Sequence, residues 1–173
     1  MDSLASYFMI ACICASSVQS TGGYDDKPYF ISTIAGTGIG ALKLNVPALE
    51  AKFGGIFGVA QGKNGDLYVS APDKHVVLKI EFNKQEGTWS NVEMIAGTGA
   101  MGKGADGVLG TQCALDTPLG LSLIEDSSTG EVTDILIADW GNHRIRKLNM
   151  STSVITTIAG TGNYGFSGDG TSA

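Results

Sequence analysis

A five-residue string, Ile-Ala-Gly-Thr-Gly, occurs three times in this chain and restricts its fold more than any other feature of the sequence. The copies occupy residues 34–38, 95–99 and 158–162, at spacings of 61 and 63 residues. The intervals between them match in pieces, since 66–70 corresponds to 134–138 and 74–80 to 142–148. The length differences fall in stretches rich in Gly, Ser, Asn and Asp, where loops absorb insertions. The chain therefore contains two copies of one structural repeat.

Each repeat has four short runs rich in Val, Ile and Leu, which predict β-strands. The predicted strands are 57–61, 66–71, 76–82 and 92–96 in the first repeat, and 119–125, 134–139, 144–149 and 154–159 in the second. A further strand, 30–35, is predicted before the first repeat. Four antiparallel strands in a repeat of this kind predict one blade of a β-propeller.

Composition excludes several other classes of protein. Of 173 residues 25 are glycine, 43% are hydrophobic and 16% are charged, and the net charge is −6. A disordered chain would be richer in charge and poorer in apolar residues, and a long helical bundle would not tolerate this much glycine. Only two arginines and a pI near 4.7 argue against a nucleic-acid-binding surface, which needs clustered positive charge.

The N-terminus resembles a secretory leader. Residues 5–15 are apolar and uncharged, and they are too short for a bilayer span of roughly 20 residues. Val18 and Ser20 supply small residues before a cleavage point, so we predict a signal peptide over 1–20, a linker over 21–29, and a secreted or lumenal protein. The alternative is a buried first strand or helix, because no basic residue precedes the apolar run. Cleavage would leave Cys113 without an intrachain disulfide partner, as a half-buried thiol.

The second repeat carries a family resemblance. Residues 139–148 (Asp-Trp-Gly-Asn-His-Arg-Ile-Arg-Lys-Leu), 155–162 (Ile-Thr-Thr-Ile-Ala-Gly-Thr-Gly) and 165–170 (Gly-Phe-Ser-Gly-Asp-Gly) closely resemble NHL-repeat β-propellers. The resemblance covers 30–173 and implies an all-β, incomplete propeller of four-stranded antiparallel blades. Its parts are an outer strand, blade A at about 53–99, blade B at about 115–162 and a connector at 163–173. It also implies partners for these blades, either further blades or a second copy of the chain.

The first repeat departs from the family pattern. Its residues Ala71, Lys74 and Val76 occupy the positions of Asp139, Asn142 and Arg144, and only His75, which corresponds to His143, keeps the motif.

These repeat residues are candidates for a site. Asp139 and Arg144 flank a tight turn, and we expect them to form a charge-assisted pair that holds the hairpin, in preference to a ligand-contacting pair. His75 and His143 are the only histidines, and we expect them, with Asn142, to pack or cap turns in preference to binding a metal. Asn149 heads an Asn-Met-Ser triplet and is predicted to be an exposed glycosylation site.

The leading functional hypothesis is a secreted or lumenal binding scaffold that presents loops to a protein or glycan partner. The alternative is a propeller enzyme, which the resemblance also covers: a lactonase-like hydrolase or an amidating lyase, with calcium or zinc at the propeller axis. No catalytic, cofactor or metal residue is predicted, because the sequence has no nucleophile elbow and no His/Cys cluster. RNA binding ranks last, and neither nucleic acid nor a transmembrane span is predicted.

Overall fold

The computed structural model of the chain describes residues 32–37 and 41–165. The predicted signal peptide, the linker 21–29 and most of the connector 163–173 lie outside the described residues. The prediction of an all-β chain is confirmed, since the described part forms two antiparallel sheets. Within that part neither sheet closes on itself, and the propeller arrangement stays a prediction.

Nine strands make up the two sheets. The first sheet has the order β1-β2-β3-β4, with β1 Val59–Gln61, β2 Leu67–Ala71, β3 Val76–Asn83 and β4 Thr88–Ala96. The second has the order β5-β9-β8-β7-β6, with β5 Val108–Leu109, β6 Pro118–Glu125, β7 Val132–Asp139, β8 Arg144–Asn149 and β9 Val154–Ala159. Short 3₁₀ helices lie at Ala48–Glu50, Pro72–Lys74, Gly110–Gln112 and Trp140–Asn142. All eight strands predicted within the two repeats are present.

Two differences from the sequence prediction concern the segments outside these eight strands. The described part of the predicted strand 30–35 is not a strand. Ile34 and Ala35 instead pack as irregular chain against the core of the first sheet, and the Gly36 amide donates to the Ala48 carbonyl. The strand β5 was not predicted, because two residues are too few to show a period. It pairs with the outer edge of β9 and makes the second sheet five-stranded.

Each sheet buries one face against a connecting segment, and two apolar clusters result. The first lies between the first sheet and residues 34–37 and 41–56, and it includes Ala51, Phe53, Ala71, Val76 and Leu78. The second lies between the two sheets: Tyr68, Val77 and Ala96 of the first sheet pack with Ile135, Ile137, Leu148 and Ile155 of the second, and with Cys113 and Leu115 of the connector. Burial of these side chains is the main stabilising contribution to the pairing of the sheets.

Hydrogen bonds also join the two sheets. The Ser70 hydroxyl donates to the Leu119 carbonyl oxygen (2.5 Å) and accepts from the Gly58 amide (2.8 Å). At the other end of the strands the Lys63 amide donates to Glu125 Oε1 (2.8 Å). Polar contacts at both ends therefore fix how the sheets sit against each other.

The first glycine of the repeated string has a specific steric role. Gly97 and Gly160 have φ of 95° and 89°, in the region that L side chains rarely adopt. A Cβ at either position would collide with the carbonyl oxygen of His75 or His143, respectively. In the second and third copies of the string, the glycine is needed where the chain leaving β4 or β9 crosses the backbone of the β2–β3 or β7–β8 turn.

One finding concerns membranes. Among the residues that the structure describes, no helix is long and apolar enough to cross a bilayer.

Candidate functional site

The two turns that carry the family motif lie at the same end of the sheets. One joins β2 to β3 and the other joins β7 to β8, and each is a 3₁₀ turn that ends in a histidine. His75 and His143 both have left-handed backbone conformations, with φ of 53° and 50°. The Thr117 amide donates to His75 Nδ1 (3.2 Å) and so links the first turn to the entry of β6. We call this end of the molecule the turn face, formed by residues 57, 72–75, 116–117, 140–143 and 164.

Asp139 organises the polar contacts beneath the turn face. Its side chain is fully buried. Oδ1 accepts a hydrogen bond from the Asp116 amide (2.8 Å), while Oδ2 accepts from Asn142 Nδ2 (2.9 Å) and from Arg144 Nη2 (3.3 Å). Asn142 Nδ2 also donates to the Gly102 carbonyl (2.9 Å). One carboxylate therefore holds the β7–β8 turn, the entry of β6 and the connector in place.

A second arginine, Arg146, completes this cluster. Its guanidinium is fully buried, and Nη1 lies 3.6 Å from Asp139 Oδ2. Nη2 donates to the Ala105 carbonyl (3.1 Å), to Asp106 Oδ1 (2.9 Å) and to Cys113 Sγ (3.4 Å). We call Asp139, Arg144 and Arg146 the arginine cluster. It contains both arginines of the chain.

Asp106 ties the cluster to the outer strand of the same sheet. Desolvation acts to raise its pKa, but hydrogen bonds from the side chain and backbone of Thr157, and the charges of Arg146 and Arg144, together hold the pKa below its usual range. The Thr157 hydroxyl lies 2.9 Å from Asp106 Oδ1. The connector is thus held to β8 and β9 through one ionised carboxylate.

The first sheet has no such cluster. The residues equivalent to Asp139, Arg144 and Arg146 are Ala71, Val76 and Leu78, and all three are fully buried. They belong to the apolar cluster between the first sheet and residues 34–37 and 41–56. The same position in the fold is therefore apolar in one repeat and charged in the next.

The histidines occupy equivalent turns and have different surroundings. His75 accepts the Thr117 amide at Nδ1, and the same atom lies 3.9 Å from Asp116 Oδ1. His143 is exposed, and its ring centroid lies 5.7 Å from that of Tyr164 in an edge-on arrangement. The structure does not bring the two histidines to one centre, and no group of three or more His, Cys, Asp or Glu suited to a metal occurs in the described ranges.

Large aromatic side chains stand out from the turn face. Trp140 is 62% exposed, Phe57 66% and Tyr164 91%. Phe57 belongs to this end because its amide donates to the Ser70 carbonyl, next to the last residue of β2. Exposed aromatic side chains are enriched at recognition surfaces, since they combine a large contact area with few rotatable bonds.

Asn149 lies at the opposite end of the sheets, as the last residue of β8. It was expected to be exposed, but it is half-buried. Nδ2 donates to Asp134 Oδ1 (3.1 Å), and Oδ1 accepts from the Ser151 hydroxyl (2.7 Å) and the Thr152 amide (2.9 Å). These contacts form the turn between β8 and β9. Glycosylation at this residue stays a prediction.

An open groove also lies at that opposite end. It measures about 390 Å³ and is lined by polar residues that include Asn64, Asp66, Asn83 and Ser90. Its side chains already bond to one another or to nearby backbone: Asp66 accepts from the Phe82 amide (2.9 Å) and pairs with Lys79 (3.2 Å). The groove gathers no catalytic set of residues.

Sequence reasoning missed Arg146, Asp106 and Asp116, and it expected Cys113 to be half-buried, whereas Cys113 is fully buried. One signal was available for Arg146. Residues 144 and 146 alternate along a strand, so both arginines face the same side of the sheet. Their partners lie about 40 residues earlier in an irregular connector, where the sequence has no pattern to place them.

Comparison with known proteins shows that the fold is similar to parts of two solved structures. No family model and no curated protein matches the chain. An auxiliary nutrient binding protein from Bacteroides ovatus has a similar structure, with a TM-score of 0.55 and 21% identity over 65% of this chain and 27% of that protein. Another auxiliary nutrient binding protein, from Bacteroides thetaiotaomicron, gives a TM-score of 0.56 and 22% identity over 71% of this chain and 29% of that one. The chain thus spans less than a third of these structures, and the likeness concerns the fold alone.

Proposed function

We propose that the chain is part of an exported β-propeller of the NHL type, and that its turn face binds a protein or glycan partner. The observation that carries this proposal is the group of exposed aromatic side chains, Phe57, Trp140 and Tyr164, at one end of both sheets. Aromatic side chains are enriched at the surfaces with which proteins recognise partners. The names of the two similar Bacteroides structures agree with a binding role.

The turn face is suited to binding because buried contacts hold its loops. Trp140 follows Asp139 directly, and Asp139 is fixed by three hydrogen bonds below the surface. The Gly141 amide donates to the Asp116 carbonyl (2.9 Å), and this bond fixes the same turn from the other side. A surface whose loops are already ordered loses less entropy when a ligand binds.

Comparison of equivalent residues in the two repeats supports the proposal that further blades pack on the second sheet. Tyr68, Val77 and Ala96 on the first sheet are covered by the second sheet. Their equivalents on the second sheet are Leu136, Ile145 and Ala159, of which Ile145 is 37% exposed and the other two are half-buried. We call these three residues the outward face. A further sheet of the same kind would cover it as the second sheet covers the first.

Export rests on the apolar segment 5–15 and the small residues Val18 and Ser20. Expression in a eukaryotic host followed by N-terminal sequencing tests it. We expect secreted protein that begins at Thr21. Material that stays in the cytosol and begins at Met1 would contradict export.

Binding at the turn face can be measured through Trp140. Trp89 is half-buried against Phe82, so a Trp89→Phe variant keeps that packing and leaves Trp140 as the single tryptophan. We expect the fluorescence emission of Trp140 to shift when a soluble oligosaccharide or a protein partner binds. Trp140→Ala and Tyr164→Ala should weaken the binding by at least about tenfold, as side chains at the centre of an interface do.

Leu49→Ala is the matched control, because Leu49 is 56% exposed on the connector before the first sheet and away from the turn face. Binding that survives both aromatic substitutions and is lost with Leu49→Ala would place the site elsewhere. Turnover of a lactone or of a glycine-extended peptide by the same protein, with a stoichiometric metal, would favour the enzyme alternative.

A further inference from the structure

A glycine and a histidine of the first sheet contact the backbone of the second sheet directly. A Cβ at Gly58 would collide with the Leu119 carbonyl oxygen, so the close approach of the two sheets requires glycine at this position. The Thr117 amide donates to His75 Nδ1 (3.2 Å). Thr117 and Leu119 lie two residues apart, where the chain enters β6. The first sheet therefore receives one backbone segment through its N–H group at the histidine and its C=O group at the glycine.

The second sheet carries the same glycine on its outward side. Gly120 is the equivalent of Gly58, and it is exposed. Among the described residues, a Cβ at Gly120 would meet only the Ala138 Cβ within 4 Å, at 3.8 Å, which is an ordinary contact. The φ of Gly120 also lies outside the left-handed region that favours glycine. Neither its backbone conformation nor its described neighbours therefore require glycine at this position.

The equivalent histidine is unused as a hydrogen-bond acceptor. His143 corresponds to His75 and is exposed. Its ring contacts the Tyr164 ring edge-on and makes no hydrogen bond to the part of the chain that the structure describes. An imidazole nitrogen without a hydrogen can accept from a backbone amide, as Nδ1 of His75 does. The outward side of the second sheet thus has a free acceptor and a position kept clear of side-chain atoms.

Resting on the proposed function, in which a further sheet covers the outward face, we propose that Gly120 and His143 dock the backbone segment that enters the first strand of that sheet. His143 Nδ1 accepts the hydrogen of one amide in this segment. The carbonyl oxygen two residues later lies against Gly120, as the carbonyl oxygen of Leu119 lies against Gly58. The partner is therefore recognised through its backbone, and the motif histidine acts as the acceptor between one sheet and the next.

A second copy of the chain fits this docking register less well than a further sheet. The Thr117 amide of such a copy already donates to its own His75. The Gly55 amide, which is the equivalent in the first sheet, donates to Asp73 Oδ1 (3.0 Å). Either segment would have to give up a hydrogen bond that it already makes. Association of two copies through the outward face would therefore not use this register.

A chain extended by one repeat tests the role of Gly120. In this variant residues 100–173 are repeated once after Gly162, which adds a sheet next to the second one. Gly120→Ala in the original repeat should lower the urea midpoint of the extended chain, because the methyl group meets the carbonyl oxygen of the added segment. The same substitution should not lower the midpoint of the unaltered chain. Gly58→Ala, the matched control, should lower the midpoint of both chains.

Amide hydrogen exchange tests the role of His143. His143→Asn removes the ring acceptor and supplies a residue that tolerates the left-handed backbone conformation found there. In the extended chain it should speed exchange of the Thr117 amide of the added repeat by about tenfold. His75→Asn in the unaltered chain should speed exchange of the original Thr117 amide to a similar extent.

The contrary outcomes separate this inference from the proposed function. If Ile145→Lys destabilises the extended chain while Gly120→Ala and His143→Asn have no effect, a sheet covers the outward face in another register, and only the docking inference is wrong. An added sheet that stays unfolded, or that is indifferent to Ile145→Lys, would overturn both. Loss of self-association of the unaltered chain on Gly120→Ala would identify a second copy as the occupant and would overturn the docking inference.

Discussion

Leu78 and Arg146 occupy the same position in two equivalent sheets, and both side chains are fully buried. Leu78 lies in an apolar cluster, whereas Arg146 contacts Asp106, Asp139 and Cys113. One fold position thus accepts two opposite chemistries, because the neighbours change together: Ala71 and Val76 accompany Leu78, and Asp139 and Arg144 accompany Arg146.

The arginine cluster should behave as a unit. Asp139→Ala leaves the buried guanidinium of Arg144 without a carboxylate and that of Arg146 with Asp106 alone, and we expect it to lower the free energy of unfolding by about 3–5 kcal/mol. The triple variant Asp139→Ala, Arg144→Val, Arg146→Leu removes all three charges, and it should regain most of that loss. Urea unfolding measures both. Glu50→Ala, which breaks an exposed pair with Lys43, is the control and should cost less than about 1 kcal/mol. A triple variant less stable than the single one would refute the idea of a self-contained unit.

Substitution of the repeated glycine by alanine should destabilise the fold more than the same substitution at another glycine with positive φ. Gly97→Ala brings a methyl group against the His75 carbonyl in addition to backbone strain at a φ of 95°. Gly87 has a φ of 67° with open space around it, so Gly87→Ala measures the strain alone, about 1 kcal/mol. We expect Gly97→Ala to cost at least about 1 kcal/mol more in thermal or urea unfolding, since the backbone must move. Equal costs would show that the close approach has no energetic role.

Alkaline pH should destabilise the pairing of the sheets through Tyr68. Burial, followed by the charges of Asp66, Glu93 and Glu125, raises the pKa of Tyr68 from 10.0 to about 12. The folded chain therefore keeps the phenol proton that the unfolded chain loses, so stability is full below pH 10 and falls as the pH rises toward 12. The loss approaches roughly 3 kcal/mol.

Urea unfolding between pH 9 and 12 measures this effect. Tyr68→Phe should flatten the decline, whereas Tyr164→Phe, at an exposed position, should leave it unchanged. A decline that persists in Tyr68→Phe would assign it to other groups.

The outward face should make the isolated chain self-associate. Ile145 lies at its centre, between Ala138 and Ala159 on neighbouring strands. Ile145→Lys places a charge there and should shift the chain toward monomer in size-exclusion chromatography with light scattering. Leu49→Lys puts the same charge on an exposed connector residue and should have no effect. Wild-type protein that is monomeric at all concentrations would argue against a sheet-binding surface.

Glycosylation at Asn149 should occur before the β8–β9 turn closes, because the folded turn engages both atoms of the amide. Secreted protein from a eukaryotic host should therefore lose mass on treatment with a glycosidase, and Asn149→Gln should abolish the difference. Asn91→Gln, an exposed asparagine without a sequon, is the matched control. An unchanged gel mobility of the wild-type protein would contradict the prediction.

The sequence was sufficient to predict the strands, since alternation of side chains and turn residues are local signals. It could not predict the environment of Arg146, because a charged residue on a strand ordinarily faces water and its partner Asp106 lies 40 residues away. The grouping of the exposed aromatic side chains could not be predicted from the sequence either. Phe57, Trp140 and Tyr164 are far apart along the chain, and the pairing of strands with opposite directions brings them to one end.

The change of chemistry between the repeats has a consequence for folding errors. Chains with similar repeats risk exchanging segments, with a connector settling on the wrong sheet. Here the connector of the first repeat carries Leu42 and Leu44, and on the second sheet it would deprive the guanidinium of Arg146 of its contact with Asp106. The connector of the second repeat would in turn bury the charge of Asp106 against Leu78. The apolar or charged side chains of each connector therefore favour packing on the sheet of its own repeat over packing on the other sheet.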